Sequence, residues 1–273
     1  MQNSPILVIG ATGKTGRRIV QRLRSAGHLV RSGSRSGEPP FDWNAPESWP
    51  RAFSGVRTAY VSYYADLAAP GAPELIERLC EVARGSGVER LVLLSGRGES
   101  NAERCEQILL SSGLIATRLR ASWFFQNFDE GQLLPSVLRG NIVLPAGDVL
   151  EPFIDCEDIA DVAFAALTDP RHDGELYELT GPRLLTFAEA ARTISEESGR
   201  SVVYTNVSAA DFEAGLTHEV GAETAQFLTR LCEEVFDGRN ATLGDGVTRA
   251  LGRSARDFVD YCRTSARKGA WAA

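Results

Sequence analysis

Ile6-Leu7-Val8-Ile9-Gly10-Ala11-Thr12-Gly13-Lys14-Thr15-Gly16 is an uninterrupted apolar run leading into three glycines spaced by three. The run suits a strand buried on both faces. Residues 15–26 then place Ile19, Val20 and Leu23 at helical spacing before Gly27 closes the helix. Strand, G-x-x-G-x-x-G and helix together bring bare backbone beside a dinucleotide pyrophosphate. Gly10 permits the tight turn, Gly13 lets phosphates approach, and Gly16 lets the helix pack onto the strand. The amides and the dipole at the helix start then face the negative charge. Gly10, Thr12, Gly13, Lys14, Thr15 and Gly16 are the first expected cofactor contacts. Gly13-Lys14-Thr15 imitates the end of a triphosphate loop. That motif needs a glycine where this chain has Val8, which excludes a kinase or ATPase reading.

Outward from this turn the pattern repeats. Strands are expected at 29–34, as a short third strand that ends at Phe41-Asp42, and at 58–62, 91–95 and 115–119, with helices at 47–53, 73–86 and 102–111. Apolar strands alternating with amphipathic helices signify a parallel sheet covered on both faces, here a Rossmann-type doubly wound α/β fold. After Arg120 the pattern loosens: helices at 158–167, 186–198, 222–236 and 255–264, strands at 176–179 and 202–207. Thr186 and Glu189 are spaced as a capping box. The expected organisation is a dinucleotide-binding domain over 1–150 with part of 151–182, a small C-terminal α/β substrate lobe over about 183–267, and a loose tail at 268–273.

The chain has 273 residues, 43% hydrophobic and 24% charged, with a formal net charge of -7. That length suits a large nucleotide-binding domain with a small appended lobe, and the acidic balance argues against nucleic acid as a partner. Its five cysteines are scattered singly, which reads as reduced thiols. No stretch resembles a signal peptide or a membrane span, so a cytoplasmic protein without a membrane partner is expected. His28, His172 and His218 show no ligand spacing, and no metal is expected. Oligomeric state is unreadable, a monomer or a loose dimer.

NAD sites usually place an acid at the end of the second strand to hold the ribose diol. Here that stretch reads Ser32-Gly33-Ser34-Arg35-Ser36, with no acid until Glu38. The planar fork of Arg35 suits a ribose 2'-phosphate, and Lys14 adds charge nearby. NADP(H) is therefore expected over NAD(H).

Several segments resemble the NmrA-like branch of atypical short-chain dehydrogenases: the glycine turn, Phe41-Asp42-Trp43 with Trp49 nearby, residues 88–95, Trp123-Phe124-Phe125-Gln126-Asn127-Phe128, and residues 151–159. The Phe-Asp-Trp segment is most similar to the ergot-alkaloid reductases of that branch. The resemblance implies Asp42 and Trp43 near the adenine, Ser62 and Tyr63 along the ribose and pyrophosphate, and Ser95 and Gly96 near the nicotinamide ribose. Secondary metabolism follows from analogy only.

Typical members of the wider superfamily pass a proton through a Tyr-x-x-x-Lys pair. This chain has no lysine between Lys14 and Lys268, and Ala102 takes the place where many relatives carry one. Classical carbonyl reduction is thus not expected. The expected function is an NADPH-dependent reductase delivering hydride to a small hydrophobic electrophile, such as a quinone, an enone or an iminium. Trp123 and Phe124 with Tyr64 are the expected substrate-pocket residues, and Tyr63 and Tyr64 are weak proton-donor candidates, the catalytic residues being otherwise unknown. The alternatives are a non-catalytic NAD(P) sensor and a non-redox cyclase or isomerase.

Overall fold

The computed structural model describes residues 4–64 and 66–272. The chain forms two units that interleave in sequence. The first comprises Met1–Ala121, Cys156–Leu179 and Asp245–Arg253; the second comprises Ser122–Asp155, Thr180–Gly244 and Ser254–Ala273. The division near residue 150 expected above therefore moves to 121. Two later segments return to the first unit, because pairing partners are chosen by the sheet and not by order in the chain.

Among the described residues the strands are β1 (Ile6–Ile9), β2 (Val30–Gly33), β3 (Thr58–Val61), β4 (Arg90–Gly96), β5 (Ile115–Ala121), β6 (Asn141–Leu144), β7 (Leu176–Leu179) and β8 (Val203–Asn206). Six make the sheet of the first unit, in the order β2-β1-β3-β4-β5-β7, and every pairing is parallel. All four residues of β1 are buried, as a strand covered on both faces requires. One face packs Leu7, Ile9, Ala59, Val61, Leu91 and Leu93 against Trp49, Phe53, Ile76, Leu79 and Leu109. Each fully buried aliphatic side chain contributes about 1.5–3 kcal/mol of transfer free energy.

The expected strand at Phe41-Asp42 does not form. β2 is the edge of the sheet, and Phe41 N–H donates to Ser34 O in a local turn. Its ring stacks on Trp49 at 5.6 Å, so the segment is held by side-chain packing and not by a ladder. Helix Lys14–Ser25 is clamped to helix Cys156–Thr168 by ion pairs: Arg18 and Arg22 reach Glu157 at 2.6 and 2.7 Å, and Arg22 reaches Asp161 at 2.6 Å. Arg253, after helix Gly246–Leu251, joins the same helix through Asp158 and Asp161.

The second unit contains β6 paired in parallel with β8 and helices Leu134–Arg139, Phe187–Ser198, Ala209–Val220, Ala222–Val235 and Phe258–Arg267. Its core is aromatic, with Phe125, Phe128, Phe153, Phe187, Phe258, Tyr261 and Trp271 in one cluster. The capping box at Thr186 and Glu189 is present. The expected loose tail is instead seated. Trp271 is 2% exposed, and its indole N–H donates to Phe128 O at 2.9 Å. A large ring that finds both apolar burial and a hydrogen-bond acceptor stays docked even at a chain end. Ala273, the last residue of that tail, and residues 1–3 of the expected N-terminal domain lie outside the described residues. No helix among the described residues is long and apolar enough to cross a membrane.

Candidate cofactor-binding site

The strand order reverses between β1 and β3, because β2 lies on one side of β1 and β3 on the other. Open parallel sheets bind ligands at the carboxyl ends of the strands flanking such a switch. The glycine turn follows β1 and Ser62 follows β3, so both border it. Gly10 has φ +78°, a conformation L side chains rarely adopt. A Cβ on Gly10 would lie 3.0 Å from Ser62 Cβ, and a Cβ on Gly16 would fall 2.1 Å from Gly10 O. Only glycine permits both approaches.

Helix Lys14–Ser25 begins at Gly13 with no side-chain cap and no acid in its first turn. No acidic side chain there opposes an incoming anion. Gly13 and Thr12 are exposed at this mouth. Thr15 is not: it is 3% exposed, and its Oγ1 accepts a hydrogen bond from Tyr60 Oη at 2.9 Å. Its backbone amide, not its hydroxyl, is what it can offer a ligand. The backbone and donor chemistry present fit a dinucleotide pyrophosphate.

Gly10 N–H donates to Gly33 O at 3.0 Å, which stitches the end of β2 to the glycine turn. Arg35 lies two residues beyond that end. It is exposed and makes no hydrogen bond or ion pair with another described residue. Asp42 is partly buried; its Oδ1 accepts from Asn44 N–H at 3.0 Å and its O from the Trp49 indole at 2.6 Å. Trp43 packs edge-on against Tyr63, with ring centroids 4.7 Å apart, and against Phe41 and Trp49.

Of the two tyrosines weighed as proton-donor candidates, Tyr63 packs against the core. Burial pushes its phenol up, and Cys105 and Glu74 add to that, which weakens it as an acid. Tyr64 is 77% exposed. Ser95, one residue before the end of β4, is 3% exposed, and its Oγ has no hydrogen-bond partner among the described residues. A Cβ on Gly96 would fall 2.0 Å from Glu99 Oε2, so a glycine there lets that carboxylate lie against the strand end.

Two residues at these strand ends carry no sequence signal. Asp66 follows β3 and Glu99 follows β4; burial pushes the Asp66 carboxyl up, and the Ala68 N–H that donates to its Oδ1 at 2.9 Å opposes that. No motif joins them, because each comes from a different loop. In the second unit, Trp123 lies 5.6 Å from Phe187 and 5.1 Å from Phe236 between ring centroids. Phe124 forms an isolated bridge with Ile154.

No family model matches the chain. It is 31% identical over 280 residues to an uncharacterised oxidoreductase of Bacillus subtilis, covering 97% of this chain and 96% of the relative. It is 30% identical over 280 residues to a festuclavine dehydrogenase of Aspergillus fumigatus, covering 94% and 96%. Among solved structures, an NADPH-dependent quinone oxidoreductase of Escherichia coli, complexed with NADPH, shares the fold with a TM-score of 0.77 at 21% identity, over 95% of this chain and 99% of that one.

Proposed function

The chain belongs to the NmrA-like family of atypical short-chain dehydrogenases/reductases and is an NAD(P)H-dependent oxidoreductase; we propose, further, that it draws on NADPH and reduces a small, hydrophobic, electrophilic acceptor. The observation that carries the cofactor choice is Arg35, exposed and without an ion-pair partner among the described residues, two positions beyond a strand end stitched to the glycine turn. A carboxylate, the usual NAD determinant, is missing from residues 30–37. Guanidinium and phosphate pair bidentately, which adds both energy and geometry.

The nicotinamide, when bound, supplies a hydride. The chain's residues do the rest. Amides at the start of the helix hold the pyrophosphate, aided by the helix dipole. Arg35 holds the 2'-phosphate. Ser62, Ser95 and Gly96, with Asp42 and Trp43, fix the remainder of the dinucleotide from the strand ends. Tyr64, in the first unit, is proposed to meet the substrate. Orientation of acceptor against cofactor then supplies most of the acceleration.

Calorimetric titration tests the cofactor choice. NADPH should bind at least tenfold more tightly than NADH, a gap of about 1.4 kcal/mol, and Arg35→Ala should abolish the difference while leaving NADH affinity unchanged. Equal affinities in the wild type overturn it. NADPH oxidation followed with quinones, enones and cyclic iminium salts tests the reaction. Tight NADPH binding without turnover on any of them points to a sensor, and product formation without cofactor points to a cyclase or isomerase.

A further inference from the structure

We propose that a cavity at the edge of the first unit's sheet, beside β2 and helix Trp49–Phe53, binds a phosphate group at a site separate from that of the cofactor. Its volume is about 330 Å³, and Arg31, Glu38, Pro39, Arg51 and Ser54 line it. Small-molecule sites span about 300–1,000 Å³, so the cavity has room for a small phosphate ester as well as for free phosphate.

Local structure places each lining group. Arg31 is half-buried on β2, and its Nη1 donates to Ala52 O at 2.8 Å and to Ser54 O at 2.6 Å. Those carbonyls lie at the end of the helix and hold the guanidinium in place. Its Nε and Nη2 make no hydrogen bond with a described residue. Arg51 comes from the same helix and is exposed, and neither arginine forms an ion pair among the described residues. The loop after β2 supplies another wall. Gly37 N–H and Phe41 N–H both donate to Ser34 O, at 3.0 and 2.9 Å, and a Cβ on Gly37 would fall 2.2 Å from Ser32 O. The loop therefore folds back along β2, which brings Glu38 and Pro39 to the cavity that Arg31 lines.

The donor set is that of a phosphate site. Two guanidiniums line one cavity with N–H donors unspent, and the Ser54 hydroxyl, without a hydrogen-bond partner among the described residues, adds another. Glu38 lines the same cavity but pairs with neither arginine among the described residues, so two positive charges meet one negative. A guanidinium fork pairs bidentately with phosphate oxygens, and an anion balances the charge that the single carboxylate leaves.

Strand direction separates this cavity from the cofactor site. Arg31 pairs in register with Leu7, and Gly33 with Ile9, so Arg31 lies upstream of the strand end that meets the glycine turn. Ser54 leads through a turn, Val56 N–H to Phe53 O at 3.0 Å, into the start of β3. Its side of the cavity thus lies toward the amino ends of the strands, whereas open parallel sheets take their dinucleotide at the carboxyl ends. Arg35, assigned above to the 2'-phosphate, is not among the lining residues.

Isothermal titration at low ionic strength, where exposed charges are least screened, tests the site. The probes are inorganic phosphate and ribose 5-phosphate, on protein free of cofactor and on protein saturated with NADPH. At least one probe should bind with a Kd of about 1 mM or below, and NADPH should change that Kd less than about twofold, as separate sites require. Tighter binding of the sugar phosphate assigns the site to an ester, and binding no tighter than that of inorganic phosphate assigns it to the free ion; both support the proposal. Arg51→Ala, at an exposed position, should weaken the better probe at least about fivefold through loss of a charge-assisted donor. Glu38→Gln should tighten it about threefold by removing the opposing charge, a gain that a merely structural role does not produce. No binding of either probe overturns the proposal. So does loss of probe binding on NADPH saturation or in Arg35→Ala, because the probe would then occupy the 2'-phosphate position of the cofactor. Equal affinity for NADPH and NADH would overturn the cofactor choice alone, since the probes are also read without cofactor.

Discussion

Tyr60 Oη donates to Thr15 Oγ1 at 2.9 Å across the buried face between β3 and the helix that opens the cofactor site. The bond turns the Thr15 hydroxyl into the protein and leaves the helix mouth to backbone amides. Tyr60 is fully buried, and burial holds its phenol far above the ordinary tyrosine range, so it stays a donor at any working pH. Tyr60→Phe should cost about 1–2 kcal/mol in urea unfolding, the loss expected for a buried hydroxyl stripped of its donor. NADPH affinity should change less than about twofold. A large loss of affinity would show that Thr15 contacts the ligand through its hydroxyl.

Gly13 and Gly16 separate binding from folding. A Cβ on Gly16 meets Gly10 backbone at 2.1 Å, whereas one on Gly13 meets only Gly10 O, at 3.2 Å. Gly16→Ala should therefore lower stability by about 1–3 kcal/mol, as overpacking does, and weaken NADPH as the turn opens. Gly13→Ala should fold with nearly normal stability yet bind NADPH at least about tenfold more weakly, because its methyl group enters the phosphate's approach. Thermal melts and cofactor titrations on the two variants check the contrast.

Trp271 should behave as a core residue of its unit. Trp271→Ala should lower stability by about 3–5 kcal/mol in denaturant unfolding, in line with other buried aromatic truncations. Trp271→Phe should recover most of that and leave a deficit of about 1 kcal/mol, because Phe128 O loses the indole donor. A loss below about 0.5 kcal/mol in the alanine variant would mean that the tail does not hold the unit together.

Glu157 gives a pH signature. Burial opposes its ionised form, but hydrogen bonds from Arg22 and Arg18 outweigh burial and hold its carboxyl below the ordinary glutamate range. A carboxyl with a lowered folded pKa contributes stability that is present at neutral pH and is lost as pH falls through that lowered value. The side chain is 38% exposed, so solvent limits the contribution to about 1 kcal/mol. Glu157→Gln should be less stable than wild type at pH 7, and the difference should vanish in acid. A gap that persists at pH 3 would place the effect in packing rather than charge.

How far the residues could be read in advance differs from element to element. β1 and the glycine turn were legible because strand, turn and helix are encoded by neighbours a few positions apart. The strands from β3 to β5 followed from the same alternation. The parallel partner of β8 was not legible. In β6, Val143 is exposed while Ile142 and Leu144 are buried, and four residues of alternation after a loosened pattern carry little signal. Phe41 looked like a strand end because it is apolar beside aromatics; the structure uses it as a ring stacked on Trp49. The seat of Trp271 depends on Phe128, far away in the chain, and no local pattern announces such a partner.

The chain's residues by themselves determined that a strand, three glycines spaced by three and a helix follow one another at residues 6–25, that no acid stands at the end of the second strand, and that no Tyr-x-x-x-Lys pair occurs. Those facts are local, since three glycines or one absent lysine can be read along a line. Only the tertiary structure decided that Thr15 faces Tyr60, and that Gly33 O accepts from Gly10 N–H and so ties the end of β2 to the glycine turn. Each of those meetings is made by strand order, which sets side by side residues that the chain keeps tens of positions apart.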